Sequence, residues 1–317
     1  MSNQLLKHAR VAKKDEFYTQ YDTIEKEMKY HFDAFRNKTI MCNCDDPVKS
    51  NFSKYFLKNF NQLHLKRLIV TGMAIEPAQR GMLLDISRFP KQLSQDFFQR
   101  NVKQLRGNGD YASQEVINYM KQADIVVTNP PFSLFRLYFD QLIHYKKKFL
   151  VITNLTTLKY RNVVPFIIEN QVWLGDSIHS GGTWMEIPAN YPAYAQQVKV
   201  TGDGRKLVNI SGIRWLTNLK SNAKANFLEL TQNYSQSKYP YLDGTHVIEV
   251  SKTRDIPKDY NELMAVPMSF LDKYNPRQFV IIGIANSGSS KNKFDLFKPR
   301  LNGKLKFSRF IIRKVLN

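Results

Sequence analysis

A largely parallel α/β sheet covered by helices on both faces, followed by a smaller basic α+β region, is the fold this sequence predicts. Three observations lead there. Apolar, β-branched runs alternate with segments whose apolar residues recur at three- and four-residue spacing, the signature of strand–helix alternation. The 317 residues suffice for a sizeable core, as one large domain or two moderate ones. Past about residue 220, turn formers cluster (Asn222, Asn233, Ser235, Pro240, Gly244, Pro257) and aromatics mix with Lys and Arg.

A basic arm over residues 1–14 (Lys7, His8, Arg10, Lys13, Lys14) precedes a helical stretch within 16–36. Strands are expected at 39–43, 67–72, 125–129, 149–154, 172–175 and 213–219, because each is a short apolar run bounded by turn formers or polar residues. Helices over 51–61, 113–122 and 134–145 fall between them. In the last, Leu134, Leu137, Tyr138 and Leu142 form one stripe, and Lys146, Lys147 and Lys148 close its C-terminal end, where cations suit the helix dipole. A late strand over 278–285 leads into a basic finish from Lys291 to Lys314. The predicted domains are therefore 15–220 and 221–317, after the 1–14 arm. No internal repeat is visible.

The run Asp124-Ile-Val-Val-Thr-Asn-Pro-Pro-Phe132 carries the most chemistry. It delivers Asn129, Pro130, Pro131 and Phe132 to the C-terminal end of a buried strand, where α/β proteins form their sites. Proline has no N–H, so this loop offers acceptors and few donors. The Asn129 side-chain oxygen and the Pro130 carbonyl suit one planar amine, and Phe132 offers a face for stacking. An amine conjugated to an aromatic ring is a poor nucleophile, and acceptors on its hydrogens favour the pyramidal form whose lone pair can attack. Phosphate chemistry requires donors instead. The structural alternative is a strand followed by a Pro-rich turn.

Charge narrows the partner. The 47 Lys and Arg against 27 Asp and Glu leave a formal charge of +20, which suits a polyanion bound through counterion release. Nucleic acid is the expected partner, with a basic surface that merely aids solubility as the alternative. The N-terminal residues lack the apolar core of a signal peptide, and no apolar run is long enough to span a membrane, so a cytoplasmic protein is expected. Cys42 and Cys44 flank Asn43 on an expected strand. Two cysteines cannot complete a structural zinc site, so they read as reduced core residues, and no metal is expected.

These residues resemble the EcoRI-type adenine-specific DNA methyltransferases over most of the chain. The resemblance is carried by Asp15-Glu-Phe-Tyr-Thr-Gln-Tyr21, Cys42-Asn-Cys-Asp-Asp-Pro47, Ser50-Asn-Phe52 and the Ser-Leu-Phe that follows Phe132. It resumes at Trp173-Leu-Gly175, Trp215-Leu-Thr-Asn-Leu219, Thr253-Arg-Asp-Ile-Pro257 and Asn302-Gly-Lys304. It implies a Rossmann-like class I S-adenosylmethionine-dependent sheet, methylation of the exocyclic N6 amine of adenine in duplex DNA, and target recognition in the C-terminal α+β region. Position by position, it makes Asn129, Pro130, Pro131 and Phe132 the catalytic loop. Phe17, Tyr18, Thr19 and Gln20 become the N-terminal cofactor element, Asn43, Asp45 and Asp46 the acidic cofactor loop, and Asp110 with Tyr111 the contact to the cofactor adenine. Each has a structural alternative: Phe17 and Tyr18 as helix-start core, Asp46-Pro47 as a helix cap, Asp110 as part of the Gly107-Asn-Gly109 turn.

The chain departs from the expected pattern in two places. Cys-Asp-Asp-Pro-Val-Lys stands where a glycine-rich loop is expected, and Glu76 is the nearest acid for ribose hydroxyls. Residues 75–106 match poorly and read as a lid or a DNA-contacting insertion. An adenine must leave the stack to be methylated, so Phe132 is expected on one face of the flipped base and Trp184 or Trp215 on the other. Lys13, Lys14, Lys220, Lys224, Lys252, Arg254 and Lys258 are candidate phosphate contacts. A monomer is expected, sharing its site on DNA with a restriction endonuclease without forming a stable complex. RNA adenine or protein-glutamine methylation, or a non-catalytic nucleic-acid-binding protein, are the alternatives.

Overall fold

The computed structural model describes residues 17–74, 76, 78–88, 94–179, 181–187, 198–220, 226–288 and 293–315. The basic arm, with Lys13 and Lys14, and Lys224 lie outside the described residues. The chain divides into two units, Met1–Thr153 with Gly181–Ser221, and Asn154–Ser180 with Asn222–Asn317. The break near residue 220 falls where composition changes, but 154–180 clusters with the second unit rather than with the expected 15–220 domain. Sequence order cannot show such an excursion, because it depends on which surfaces pack.

In the first unit β1 (Tyr18–Thr19) and α1 (Tyr21–Met28) precede β2 (Thr39–Cys42), α2 (Asn51–Lys58) and β3 (Arg67–Gly72). Then follow β4 (Met82–Ile86), α3 (Gln95–Asn101), β5 (Val102–Gln104), α4 (Gln114–Gln122), β6 (Ile125–Thr128), α5 (Phe135–His144) and β7 (Lys148–Asn154). β8 (Gly182–Ile187), β9 (Val198–Val200), β10 (Lys206–Ser211) and β11 (Ile213–Thr217) complete it. Within this unit the strands of the main sheet run β5-β4-β3-β2-β6-β7-β11. β2 pairs parallel with β3 and with β6, and β6 parallel with β7. Every residue of β2 and of β6 is buried, as expected of parallel strands covered on both faces.

The edge departs from the prediction. β4 runs antiparallel to β3, and β5 antiparallel to β4, so the sheet is mixed. Residues 82–86 and 102–104 thus extend the sheet. An antiparallel return needs only the short 73–81 connection, whereas a parallel one needs a crossover. The helices begin on side-chain caps: Ser50 accepts from the Phe52 N–H at 3.0 Å and Ser113 from Val116 at 3.3 Å. On α5 the buried stripe is Phe135, Tyr138, Phe139 and Leu142, while Leu134 and Leu137 are exposed. That i, i+3, i+4, i+7 set starts one residue later than the expected stripe, because Phe132–Leu134 forms a separate 3-10 turn.

A second sheet, ordered β1-β8-β10-β9, is antiparallel, with Tyr18 opposite Glu186 and Thr19 opposite Met185. The N-terminal aromatic element is therefore an edge strand laid on a strand far along the chain.

The second unit contains a five-stranded sheet. Its strands are β12 (Ile248–Glu249), β13 (Met264–Pro267), β14 (Phe279–Ala285), β15 (Asp295–Phe297) and, past the β16 (Arg300–Leu301) and β17 (Lys304–Leu305) hairpin, β18 (Arg309–Lys314). They lie in the order β12-β13-β18-β14-β15. Leu242, Val247, Ala265, Ala285 and Ile311 form a core cluster here. The Arg309 guanidinium meets the buried Glu249 carboxylate, with Nη2 at 2.7 Å from Oε1. No helix among the described residues is long and apolar enough to cross a membrane.

Candidate active site

Because β2, β3 and β6 are parallel, their C-terminal ends point the same way. The chain leaves β2 for β3 on one side and reaches β6 on the other, and a crevice opens where the strand order reverses. One pocket lies there. Its walls include Asn43, Cys44, Asp45 and Asp46 after β2, Gly72 and Met73 after β3, and Asn129 and Pro131 after β6. Phe17, Tyr18 and Thr19 line it from β1, Ser50, Asn51 and Phe52 from the start of α2, and Gly109 and Tyr111 from the turn before α4.

Two asparagines hold the N-terminal strand against this pocket. Asn51 Nδ2 donates to the Thr19 carbonyl at 2.8 Å, and Asn129 Nδ2 donates to the Phe17 carbonyl. Phe17 is buried and stacks on Phe132, with centroids 5.9 Å apart and planes at 26°. With its nitrogen engaged, Asn129 presents Oδ1, which is buried with no hydrogen-bond partner among the described residues. The Thr19 Oγ1 is in the same condition.

Asp45 ties the strand ends together. Its N–H donates to the Thr71 carbonyl at 3.1 Å, Oδ1 accepts from Ser50 Oγ at 2.6 Å, and Oδ2 accepts from Thr128 Oγ1 at 2.6 Å. Burial pushes its carboxyl up to about 6, against the two hydroxyl bonds, which favour the anion, and with the neighbouring Asp46 charge adding to the rise. Asp46 lines the pocket and also accepts from the Val48 and Lys49 N–H groups at 2.8 and 2.9 Å, closing a local turn, while the helix cap itself is Ser50. Asn43 Oδ1 accepts from the buried Tyr138 hydroxyl at 2.5 Å, while its Nδ2 has no partner among the described residues. Tyr111 is buried edge-on to Tyr138 at 5.1 Å, and burial pushes its hydroxyl up to about 12.

Several expected residues fall elsewhere. Trp215 is fully buried, edge-on to Phe52 at 5.9 Å, and cannot stack on a base without opening the core. Trp184 is 38% exposed on β8, on the same sheet face as Glu186 and its partner Tyr18. Gln20 lies outside the pocket lining, its Oε1 accepting from Arg205 Nη1 at 3.2 Å. Asp110 also lies outside that lining; its Oδ1 accepts from the Ala112 N–H at 2.9 Å, as the turn reading anticipates. Glu76 is exposed and accepts from Gln79 at 3.0 Å, and it does not line the pocket. Lys220, Lys252, Arg254 and Lys258 are all exposed. Cys42 is buried, but β2 ends there, and Cys44 lies in the following turn as pocket lining rather than core. Burial holds both thiols well above their ordinary range.

The sequence reading missed Ser50, Asn51, Gly72, Met73 and Gly109. Two of these residues are glycines from separate segments that meet at the pocket. A Cβ on Gly72 would sit 3.1 Å from the Asp45 carbonyl oxygen, and one on Gly109, whose φ is +82°, would strike the Gly72 carbonyl. Gly109→Ala should therefore destabilise the protein by about 2–4 kcal/mol, combining left-handed strain with overpacking, seen as a lower urea midpoint.

Nearly the whole chain has relatives by sequence. The family model for the adenine-specific methyltransferase EcoRI matches residues 5–314. The Escherichia coli type II methyltransferase M.EcoRI is 41% identical, covering 98% of this chain and 97% of the relative. The type II methyltransferase M.MgeORF184P of Mycoplasma genitalium is 36% identical, over 96% of this chain and 97% of its own. M.MpnI, a type II methyltransferase of Mycoplasma pneumoniae, is 35% identical over 86% and 83%. No solved structure matches. A pocket at the end of the Asn129-Pro-Pro-Phe132 strand, within a match that spans nearly the full length, places the chain in the EcoRI family of adenine-specific methyltransferases.

Proposed function

We propose that the protein methylates the N6 amine of an adenine flipped out of a specific duplex DNA sequence, using S-adenosylmethionine, in a restriction–modification setting. The Asn129 side chain carries this reading: its nitrogen is engaged by the Phe17 carbonyl, and its buried oxygen lacks a donor. An adenine amino group is such a donor. Accepting from it favours the pyramidal amine, and the Pro130 carbonyl is the natural second acceptor. The acids Asp45 and Asp46, the rings of Phe17 and Tyr111, and the unpaired Thr19 Oγ1 and Asn43 Nδ2 suit a cationic ligand that bears an adenine. When bound, S-adenosylmethionine supplies an electrophilic methyl group. No protein nucleophile is needed, and both buried thiols stay protonated. The amine becomes acidic only as it gains the methyl, so no carboxylate base need be poised in advance.

The parallel order β3-β2-β6-β7, with the pocket at its strand ends, supports a Rossmann-like class I arrangement. Trp184 is the better of the two tryptophans for the second base face, since it is exposed. We assign target recognition to 221–317, where Lys252, Arg254 and Lys258 are open to phosphates.

The test is transfer of labelled methyl from S-adenosylmethionine to duplex DNA, with single-stranded DNA, RNA and protein extract in parallel. Methyladenine at one short duplex sequence is expected. Label confined to RNA or to glutamine amides would overturn the reading.

A further inference from the structure

Asn302-Gly-Lys304 has no part in the chemistry above, yet it is built with care. It turns the hairpin of β16 and β17, in which Arg300 faces Leu305 and Leu301 faces Lys304. Asn302 and Gly303 have φ of 51° and 74°, the left-handed pair that a two-residue turn between right-twisted strands requires. Asp243 clamps that turn. Its two carboxylate oxygens accept from the Asn302 and Gly303 N–H groups at 2.9 and 2.7 Å, and its own N–H donates to the Arg300 carbonyl at 2.9 Å. The Lys306 N–H donates to the Pro299 carbonyl at 2.8 Å, extending the ladder beyond the two named strands.

The two faces of this ribbon differ. Leu301 packs on the core cluster of the second unit. The opposite face carries Arg300 and Leu305, and the two-residue alternation continues it to Lys298 and Phe307. On that face Lys298 and Arg300 are exposed, Leu305 is 48% exposed and Phe307 is 85% exposed, whereas Lys304, opposite Leu301, belongs to the other face. The Phe307 position is anchored, since its carbonyl accepts from Arg309 Nη1 at 3.3 Å and Arg309 is itself held by buried Glu249. Phe307 and Leu305 together make an exposed apolar pair beside cations on one face, a contiguous feature of the kind that interaction sites present. The nearby acid, Asp243, has both oxygens on backbone N–H groups, so the cations dominate the face.

We propose that this ribbon is a DNA-contacting element of the second unit. Lys298 and Arg300 meet phosphates, and Phe307 packs on a sugar or wedges between base steps. The proposal rests on the reading that the protein acts on duplex DNA. The ligand is the duplex of the proposed reaction, whose phosphates match Lys298 and Arg300 and whose sugars and deformable base steps accept an apolar side chain.

The test is fluorescence anisotropy with a labelled mixed-sequence duplex and the full chain, as parent, Phe307→Ala, and the double variant Lys298→Ala/Arg300→Ala, across a salt series. Phe307→Ala should weaken binding about tenfold, the loss typical of one stacking contact. The double variant should reduce the slope of log K against log salt by about 2. All three side chains are exposed, so melting temperatures should match the parent, and S-adenosylmethionine binding should be unchanged. A parent that binds the duplex, with variants identical to it in affinity and salt slope, overturns the ribbon alone. Loss of self-association in Phe307→Ala at unchanged DNA affinity overturns it in favour of a second copy as occupant. A parent that binds no duplex defeats the underlying reading and this one together.

Discussion

Asn129→Ala should abolish methyl transfer while leaving duplex binding close to that of the parent. The side chain does two jobs that alanine cannot. Its Nδ2 holds the Phe17 carbonyl, and with it the strand that closes the pocket. Its Oδ1 is the buried acceptor without a donor. Removing one positioned group of this kind costs about a hundred- to a thousandfold in kcat, and the lost clasp on β1 adds to that. Asn129→Asp separates the two jobs. It keeps acceptors but sets a carboxylate oxygen against the Phe17 carbonyl, so it should fail as well and should loosen the N-terminal strand. Single-turnover methyl transfer, with duplex affinity measured alongside, checks both variants. Normal turnover in Asn129→Ala would show that the pyramidal-amine mechanism is wrong, and normal turnover in Asn129→Asp would remove the role given to the Phe17 clasp.

Asp45→Asn should make the protein more stable at neutral pH and a poorer binder of S-adenosylmethionine. The carboxyl is buried and titrates near 6 in the folded chain, against an ordinary 3.8. Between those values the folded state holds a proton that the unfolded state has lost. Stability therefore falls as pH rises from about 4 to about 6, by about 3 kcal/mol from this residue. Asparagine keeps the shape, accepts from Ser50 and donates toward Thr128, and carries no charge to bury. The gain over the parent should thus be present at pH 7 and vanish below about pH 4, read from urea unfolding at several pH values. Affinity moves the other way, because the variant removes a buried anion from a pocket assigned to a cationic ligand. Loss of about tenfold or more is expected at pH 7.5, and parent affinity should fall as pH drops through 6 while the variant stays flat. Unchanged affinity at both pH values would remove Asp45 from the cofactor assignment.

Much of the candidate site was legible because strand ends carry their chemistry in short strings. Ile125-Val-Val-Thr128 reads as a buried strand from its β-branched run, and Asn129 to Phe132 must then emerge at its end. Asp45 and Asp46 follow from Thr39–Cys42 in the same way. The antiparallel edge was not legible. Met82–Ile86 is a half-open strand whose pairing depends on how the 73–81 connection turns. Nor does a single sequence distinguish the core role of Trp215 from the open position of Trp184, since both lie in apolar, β-branched surroundings. Gly72 and Gly109 belong to different segments, and only their contact explains the glycines.

Composition, periodicity and local strings thus determined the α/β class, the nucleic-acid partner expected from the charge, and the chemistry presented at each strand end. Tertiary structure decided which ends share a pocket, and which polar atoms in it are left without partners. Those outcomes depend on bonds across long stretches of chain, such as Asn129 to Phe17 over 112 positions and Asp45 to Thr128 over 83. Local propensity cannot encode them, because the order of strands in the sheet sets which carbonyl engages Asn129 Nδ2, and hence which of its atoms is left to accept.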